Sequence, residues 1–387
     1  MDFAFTPKQS EYRAYVRSWI AGALPRFLEQ FPDPTARSET DLNLAWDKAL
    51  YEGGLSCVNW PVEFGGQGLS LIERFILAEE LGRAYAPEGA NISGVDVVAP
   101  MLLAEGTEEQ RGRFLPRIAA VEDIWCQGFS EPNAGSDLLS LKTSARREGE
   151  EWVINGQKIW TTNAHYADYC LLLARTDPEA RPRSAMSLLI VPMGAPGVVV
   201  KPLIHLTGRS DFNEIFFEDV KVPFESRLGP VNNGWPIASA TLANERGTAR
   251  LYRHARYVRE FNDLLGLATQ NGSFSKSGYV RSRFAELFAR LSICRQHNMK
   301  IISRMAQGLD LGVGPNIVKV FWSELHQDLA SFALEIMGAH AAVVTELDVN
   351  KPIFQNIYLH SRAETIYSGT SQIQRNIIAE RGLGLPR

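Results

Sequence analysis

The stretch WVINGQKIW, residues 152–160, decides how the chain is divided. Two β-prone runs flank Asn155-Gly156, and Asn-Gly between such runs is the strongest short-range signal for a β-hairpin. Four more short apolar runs follow it: Tyr169–Ala174, Ser187–Val191, Val198–Val200 and Ile215–Phe217. Most of them lie too close together for helical crossovers. The spacing therefore predicts a compact antiparallel β barrel or sandwich in the middle of the chain.

Helical patterns occupy both sides of this β segment. Three capping-box spacings precede it: Thr6 with Gln9, Ser70 with Glu73, and Thr107 with Gln110. Three long stretches with helical periodicity and few breakers follow Trp235: 236–268, 278–310 and 317–346. Such stretches are typical of a bundle of long helices.

The order predicts an α+β protein with three domains. We expect an N-terminal α-helical domain (1–122), a middle antiparallel β domain (123–235) and a C-terminal domain resembling a four-helix bundle (236–387). A chain of 387 residues is also too long for one ordinary hydrophobic core.

The composition excludes several classes of partner. Hydrophobic residues make up 45% and charged residues 22%, as in ordinary globular proteins. The formal net charge of -4 argues against binding to nucleic acid or to an anionic membrane. No apolar run approaches the ~18 residues that cross a bilayer, and the start of the chain has no signal-peptide pattern. We expect a cytoplasmic protein.

The four cysteines do not predict a metal site. Cys57, Cys126, Cys170 and Cys294 lie far apart, without a Cys-x-x-Cys pair or a histidine at metal-ligand spacing. Each is interpreted as a small buried hydrophobic residue. We expect no metal.

Three segments carry residue types that can hold a flat, phosphate-bearing cofactor. WCQGFSEPNAGSD (125–137) enters a turn whose backbone N–H groups and hydroxyls can bond a ring edge or phosphates. KIWTTN (158–163) offers an indole and hydroxyls. IYSGTSQIQRN (366–376) joins two predicted helices, where exposed N–H groups attract anions. Taken singly, each segment also fits a plain role as a surface turn, a core strand end or a helix connection.

Together the segments resemble the acyl-CoA dehydrogenase family over essentially the whole chain. Trp60-Pro61 with Gly65-Gly66, and FEDVKVP at 217–223, match the family as well. The family fold is a helical domain, a small β domain and a C-terminal helical bundle, in agreement with the predicted order. The resemblance implies an FAD-dependent oxidoreductase that converts an acyl thioester to its 2-enoyl thioester.

The resemblance also implies a role for individual residues. The expected FAD-binding residues are Gln127, Phe129 and Ser130 at the flavin pyrimidine, Trp160 and Thr162 near flavin N5, Ser136 near the phosphates or the thioester, Thr370 and Gln372 on the dinucleotide, and Arg281, which resembles the arginine that reaches a neighbouring subunit's FAD. The expected substrate-binding residues are Arg246, Tyr367, Ser368 and Gly369.

The chain departs from the family at the catalytic base. Most members carry a glutamate directly before the C-terminal Gly-Thr, where this chain has Ser368. A serine hydroxyl without an adjacent base is too weakly basic to remove an α-proton. A minority, including isovaleryl-CoA and long-chain dehydrogenases, place the base on another helix directly before an arginine, which matches Glu245-Arg246. We expect Glu245 to take the α-proton while the β-hydride moves to flavin N5. A solvated surface pair is the plain alternative for Glu245-Arg246, and Glu364 is a weaker candidate base.

A second departure bears on assembly. Where the family has Gln and Gly-Gly, this chain has Glu335 and Gly338-Ala339, in a loop that in the family meets the FAD of the adjacent subunit. We expect either a homo-oligomer (dimer or tetramer) or a hetero-oligomer with a paralogue, and an electron-transfer flavoprotein as electron acceptor. The acyl carrier is coenzyme A or an acyl carrier protein. Two alternative functions are open: a non-catalytic or half-site subunit of a hetero-oligomeric dehydrogenase, and a flavin monooxygenase or oxidase on the same fold.

Overall fold

The computed structural model describes residues 4–31, 39–240, 253–343 and 353–386. The chain forms two compact units, each built from separate segments. The first comprises Met1–Ser38, Leu69–Pro87 and Arg246–Arg387, and the second comprises Glu39–Gly68 and Glu88–Glu245. The three domain boundaries expected from the sequence stay a prediction. Among the described residues, no helix is both long and apolar enough to cross a membrane.

The second unit contains one eight-stranded sheet. Its strands are β1 (Trp125–Gly128), β2 (Ser144–Glu148), β3 (Glu151–Thr162), β4 (Tyr169–Arg175), β5 (Met186–Pro192), β6 (Val198–Leu203), β7 (Phe212–Pro223) and β8 (Arg227–Leu228). The order is β6-β7-β3-β2-β4-β5-β8, with β1 beside β4. Most neighbours are antiparallel, but β4 runs parallel to both β1 and β2. Leu171 and Leu173 enter one core and Cys170 and Leu172 another, so both faces of β4 are covered.

The hairpin predicted at Asn155-Gly156 is wrong. Residues 151–162 form one strand, whose register against β7 shifts between Ile154 and Gly156 as in a β-bulge. Gly156 has φ +150°, and a Cβ there would lie 2.5 Å from Thr143 Oγ1. Glycine therefore permits a close approach here, not a turn. The turn between β2 and β3 is at Gly149, which has φ +61°.

Helices belong to the same unit as the sheet. They are α2 (Glu39–Glu52), α4 (Ala99–Glu105), α5 (Glu108–Ala119) and α6, which occupies 234–240 of the described residues. The capping box predicted at Thr107 is confirmed, because its hydroxyl accepts from Gln110 N at 3.1 Å. Phe114 of α5 packs edge-on against Trp125 of β1, with ring centroids 5.1 Å apart. The start of β1 is thereby anchored in the core.

The first unit is built from helices. They are α1 (Pro7–Leu28), α3 (Leu71–Arg83), α7 (Arg253–Gln270), α8 (Ser273–Lys276), α9 (Gly278–Ala306), α10 (Gly314–Met337), α11 (Phe354–Glu364) and α12 (Ser371–Ile377). The capping boxes predicted at Thr6 and Ser70 are confirmed. Phe261 of α7, Phe284 of α9 and Phe332 of α10 share one apolar core, as the predicted bundle requires.

Candidate functional site

The ends of β1 and β3 lie side by side, which brings two of the predicted cofactor segments together. Ile159 N–H donates to Ser130 O at 2.9 Å, and Lys158 Nζ donates to Phe129 O at 2.9 Å. Gln127 and Ser130 at the end of β1 are both half-buried. The two segments therefore form one continuous surface in this unit.

A buried ion pair fixes that surface from below. Lys158 is fully buried and its Nζ donates to Glu131 Oε1 at 2.9 Å. Glu131 also accepts from the backbone N–H groups of Lys142 and Thr143, at 2.7 and 2.8 Å. Burial lowers the pKa of Lys158 to about 8, against the opposing effect of Glu131. Burial alone would raise the pKa of Glu131, but Lys158 and the donors at 142–143 hold it below its ordinary value.

Trp160 is turned out of the sheet by an irregularity in β3. The register against β7 shifts between Lys158 and Thr161, and Trp160 lies between them with φ +61°. Its side chain is 60% exposed and meets the ring of Phe212 edge-on, with centroids 6.2 Å apart. A large indole held outward by a left-handed backbone residue is typical of a functional position.

Polar side chains of the two segments have bonding capacity to spare. The side chains of Gln127, Ser130, Ser136 and Thr162 make no hydrogen bond to any residue that the structure describes. Thr161 Oγ1 is buried and likewise has no partner among those residues. Phe129 differs from this group, because its side chain is only 5% exposed and packs in the hydrophobic core.

The α11–α12 loop of the first unit has an unusual backbone. Ser368 and Gly369 have φ values of +51° and +85°. Among the described residues, the backbone N–H groups of Ser368, Gly369 and Thr370 donate to no acceptor. Thr370 Oγ1 caps α12 by accepting from Ile373 N at 3.1 Å. Tyr367 OH, just before this loop, accepts from Arg253 Nη2 at 2.8 Å.

Glu364, the weaker candidate base, is enclosed in an ionic network. It is 2% exposed; its Oε1 accepts from Arg253 Nη1 at 2.9 Å, and its Oε2 lies 2.7 Å from His326 Nδ1. His326 Nε2 lies 3.0 Å from Glu260 Oε2. Burial would raise the pKa of Glu364, but His326 and Arg253 outweigh burial and lower it.

For four further predicted residues, the structure gives little information about a role in the site. Glu245 and Arg246 lie outside the described residues. Arg281 is exposed, and its Nη1 donates to the carbonyls of Phe274 and Ser275 in its own chain, at 3.1 and 2.9 Å. Gln372 is exposed on α12.

Sequence models of one family match almost the entire length. The acyl-CoA dehydrogenase N-terminal domain matches residues 6–122, the middle domain 126–220 and the C-terminal domain 232–383. The chain belongs to the acyl-CoA dehydrogenase family. A relative from Mycobacterium tuberculosis, acyl-CoA dehydrogenase IpdE1, is 39% identical over 381 residues, covering 97% of this chain and 98% of the relative.

Solved structures agree with this membership. The Tcur3481-Tcur3483 steroid ACAD matches with a TM-score of 0.88 and 31% identity over 100% of both chains. The ChsE4-ChsE5 complex from Mycobacterium tuberculosis matches with a TM-score of 0.83 and 29% identity, again over 100% of both chains. The predicted acyl-CoA dehydrogenase fold is confirmed. This acyl-CoA dehydrogenase is an oxidoreductase that acts on CH–CH bonds, as expected.

FAD is the cofactor of this acyl-CoA dehydrogenase, and the observed donors fit it. The hydroxyls and amide beside Trp160 suit the polar edge of a flavin, and the exposed indole suits its face. Ser371 Oγ, at the start of α12, is buried without a partner among the described residues, and the N–H groups of 368–370 are equally available. These groups are donors, as ring carbonyls and phosphates require.

The Lys158–Glu131 pair and Asn91 are structural elements of the site that sequence reasoning missed. Asn91 is buried; its Nδ2 donates to Asp123 O and its Oδ1 accepts from Trp125 N, both at 3.0 Å. A signal existed for Lys158, because a cation amid apolar strand residues needs a buried partner. Asn91 lies in a segment without a comparable signal.

Proposed function

We propose that this enzyme dehydrogenates an acyl thioester between its α and β carbons, with Glu245 as the base. The observation that carries the proposal is the enclosure of Glu364 by Arg253 and His326. A buried carboxylate with a lowered pKa and two cationic partners is a poor base. Ser368 has only a hydroxyl and is too weakly basic as well. With Glu364 and Ser368 excluded as the base, Glu245 is the favoured candidate.

The chain's own residues then have the following tasks. We assign Trp160 to one face of the flavin ring, and Gln127, Ser130 and Thr162 to its polar edge. The Ser368 N–H polarises the thioester carbonyl, which stabilises the negative charge that develops as the α-proton leaves. Glu245 takes that proton as the general base. FAD, when bound, supplies the electron acceptor.

The other assigned residues bind at the periphery of the reacting atoms. Ser136, Arg281, Thr370 and Gln372 are assigned to the phosphates and the dinucleotide, and Arg246, Tyr367 and Gly369 to the substrate. Arg253 supports this role for Tyr367 by fixing its hydroxyl.

A bulky acyl group is the favoured substrate. Ser368 leaves room beside the α-carbon where most of the family has a glutamate, and one similar solved protein is named a steroid ACAD. An anaerobic screen should compare butanoyl-, isovaleryl-, palmitoyl- and steroid-acyl-CoA, with flavin bleaching as the signal. Faster bleaching by butanoyl-CoA than by the bulky thioesters would contradict this preference.

A hetero-oligomer is the favoured assembly. Glu335 is exposed near the end of α10 and accepts from Tyr279 OH at 3.3 Å. A carboxylate at this position would repel the phosphates of an adjacent subunit's FAD. In addition, one similar solved structure is a ChsE4-ChsE5 complex. Co-expression with a paralogue should raise FAD content per chain and native mass. Full FAD loading of the chain alone would contradict this assembly.

An electron-transfer flavoprotein is the proposed electron acceptor, and rapid flavin reoxidation by oxygen would favour an oxidase instead.

The decisive test of the base is Glu245→Gln, which keeps the side chain's shape and removes its charge. Flavin reduction by an acyl-CoA should slow by at least ~10²-fold, since general-base catalysis is typically worth ~10²–10⁴-fold. FAD content should stay normal, and Ser368→Ala should have a mild effect. Partial recovery in Glu245→Gln combined with Ser368→Glu would show that both positions reach one carbon. Reduction as fast as in the parent enzyme would remove Glu245 from this role.

A further inference from the structure

Gln374 of α12 is fully buried and holds the backbone of the loop before its helix. Its Nε2 donates to Ser368 O at 3.1 Å and to Gly369 O at 3.3 Å. Its Oε1 accepts from Asn316 Nδ2 of α10 at 2.6 Å, and Asn316 is buried too. The two carbonyl acceptors on one side and the Asn316 donor on the other thus agree on which end of the Gln374 amide faces the loop.

The two bound carbonyls determine the direction of the neighbouring N–H groups. In a trans peptide the C=O and the N–H point to opposite sides. Because Gln374 binds the carbonyls of Ser368 and Gly369, the N–H groups of Gly369 and Thr370 are directed away from it. Together with the Ser368 N–H, they make no hydrogen bond within the described residues. Successive free N–H groups around left-handed residues form a concavity that binds acceptor oxygens.

The loop needs such support because its backbone is strained. Ser368 has φ +51°, in the left-handed region that is unfavourable for a residue with a side chain. Strain of this kind persists only where the surroundings determine the conformation. The start of the loop is held as well, since Lys319 Nζ donates to Glu364 O and Ser371 N donates to Thr365 O, both at 2.9 Å. Gln374 supplies the side-chain hydrogen bonds to the strained residues themselves.

We infer that Gln374 is a positioning residue: it directs the N–H groups of Gly369 and Thr370 toward the cofactor, and by binding the Ser368 carbonyl it holds the residue whose own N–H faces the substrate carbonyl. The inference rests on the proposed function, in which the Ser368 N–H polarises the thioester. Gln374 touches neither substrate nor cofactor and acts through the loop. Asn316 acts one step further, by preventing the Gln374 amide from turning over.

Two variants separate this role from a general packing role. Gln374→Met keeps the side-chain length and removes both donors. Asn316→Asp leaves Gln374 in place but replaces its partner's donor with an acceptor, so the amide turns and presents Oε1 to the two carbonyls. The matched control is Gln327→Met: Gln327 donates to Ser361 O and Thr365 Oγ1, at 2.9 and 3.0 Å, and makes no hydrogen bond to residues 368–370.

The first readout is the rate constant of anaerobic flavin reduction at saturating acyl-CoA, on enzyme with measured FAD content. This rate constant should fall at least ~10-fold in Gln374→Met and in Asn316→Asp. For comparison, removing one oxyanion-hole donor typically lowers a rate ~10²–10³-fold. The double variant should show little further loss, because both changes act on the same amide. Gln327→Met should lower the melting temperature without a comparable loss of rate.

The second readout does not depend on turnover. In 3-thiaoctanoyl-CoA, sulfur replaces the β-carbon, so the thioester binds without being dehydrogenated. Its infrared carbonyl band should shift to lower wavenumber on the parent enzyme and return toward the free value on both variants. Unchanged rate and unchanged band in Gln374→Met would overturn the inference and leave the proposed function intact. If no acyl-CoA reduces the parent, the proposed function fails and the inference with it. If Gln374→Met does not fold, Asn316→Asp decides by the same two readouts.

Discussion

Trp160 combines two features that a folded protein rarely has without a functional reason. Its backbone lies in the left-handed region, and most of its indole is exposed. A left-handed backbone is unfavourable for a residue with a side chain, and an indole that is 60% exposed buries little apolar surface. We interpret both as the cost of presenting a flat apolar surface to the flavin, near the side chains of Gln127, Ser130 and Thr162, which make no hydrogen bond to any described residue.

Trp160→Ala should therefore weaken FAD binding and leave the fold intact. Loss of an aromatic contact worth ~0.5–1.5 kcal/mol raises the dissociation constant of FAD roughly 2–10-fold. Titration of the apoenzyme with FAD measures this change. The control is Trp152→Ala on the same strand, because Trp152 is 2% exposed and its Nε1 donates to Phe224 O at 3.1 Å. That variant should lose about 3–5 kcal/mol of stability. An equal loss of stability in Trp160→Ala would make Trp160 a core residue.

Strand β3 places the site residues through its irregularities. One register shift adjoins Gly156 and the other surrounds Trp160, so the side chains after the first bulge are re-aimed relative to those before it. Asn155 fixes the first bulge by hydrogen bonds with Asp219 of β7, at 2.9 and 3.0 Å. The strand is thus continuous across the sheet and still delivers Trp160 to the surface.

Gly156→Ala should destabilise the protein more than Gly149→Ala. Both glycines have positive φ, which costs alanine roughly 1–2 kcal/mol in the left-handed region. At Gly149 a Cβ meets nothing within 4 Å, whereas at Gly156 it would lie 2.7 Å from Thr143 Cα. The overpacking should cost about 1–3 kcal/mol more at Gly156. Urea unfolding of the two variants gives the difference directly, and equal midpoints would contradict the bulge geometry.

The elements differ in how far the sequence could predict them. The capping boxes at Thr6, Ser70 and Thr107 depend on residues three apart, so local chemistry was sufficient. Asn155-Gly156 has the local chemistry of a hairpin, but pairing with β7 and the contact with Thr143 decided its conformation. Those partners are distant in sequence and cannot be deduced from a local pattern.

The candidate site was predictable as segments and not as geometry. The motifs indicate which stretches should carry the flavin-binding residues, and the structure brings two of them, 127–130 and 158–162, together. Three features depend on tertiary contacts: the core position of the Phe129 side chain, the Lys158–Glu131 ion pair, and the hydrogen bond from Gln374 to the Ser368 carbonyl. Hydrogen bonds between side chains and distant carbonyls leave no periodic signal in a sequence.

At the scale of the whole molecule, a buried network of charges links three helices of the first unit. Glu260 of α7, His326 of α10 and Glu364 of α11 are joined by contacts of 3.0 and 2.7 Å, and Arg253 completes the network. All four side chains are buried. Two carboxylates balance two cations, so charging of the histidine is required for neutrality.

This balance predicts how stability depends on pH. Burial alone would lower the pKa of His326, but Glu364 and Glu260 outweigh burial and raise it from 6.5 to about 9. A raised pKa means that the folded protein holds a proton which the unfolded chain releases at lower pH. The stabilisation from His326 is therefore fully present below pH 6.5 and is lost as the pH rises through about 9. At about 1.4 kcal/mol per pKa unit, the loss is on the order of 3 kcal/mol.

The variant His326→Gln isolates this contribution, because it cannot carry the proton. It should be much less stable than the parent at pH 6.5, where it leaves Glu260 and Glu364 with fewer cations. The gap between the two free energies of unfolding should then narrow by roughly 3 kcal/mol between pH 6.5 and 9.5, since the parent also loses its imidazolium. Urea unfolding at several pH values measures the gap, and His165→Gln, at an exposed histidine, serves as the control. A gap that stays constant with pH would mean that His326 is neutral in the folded protein, and the two carboxylates would then need another source of positive charge.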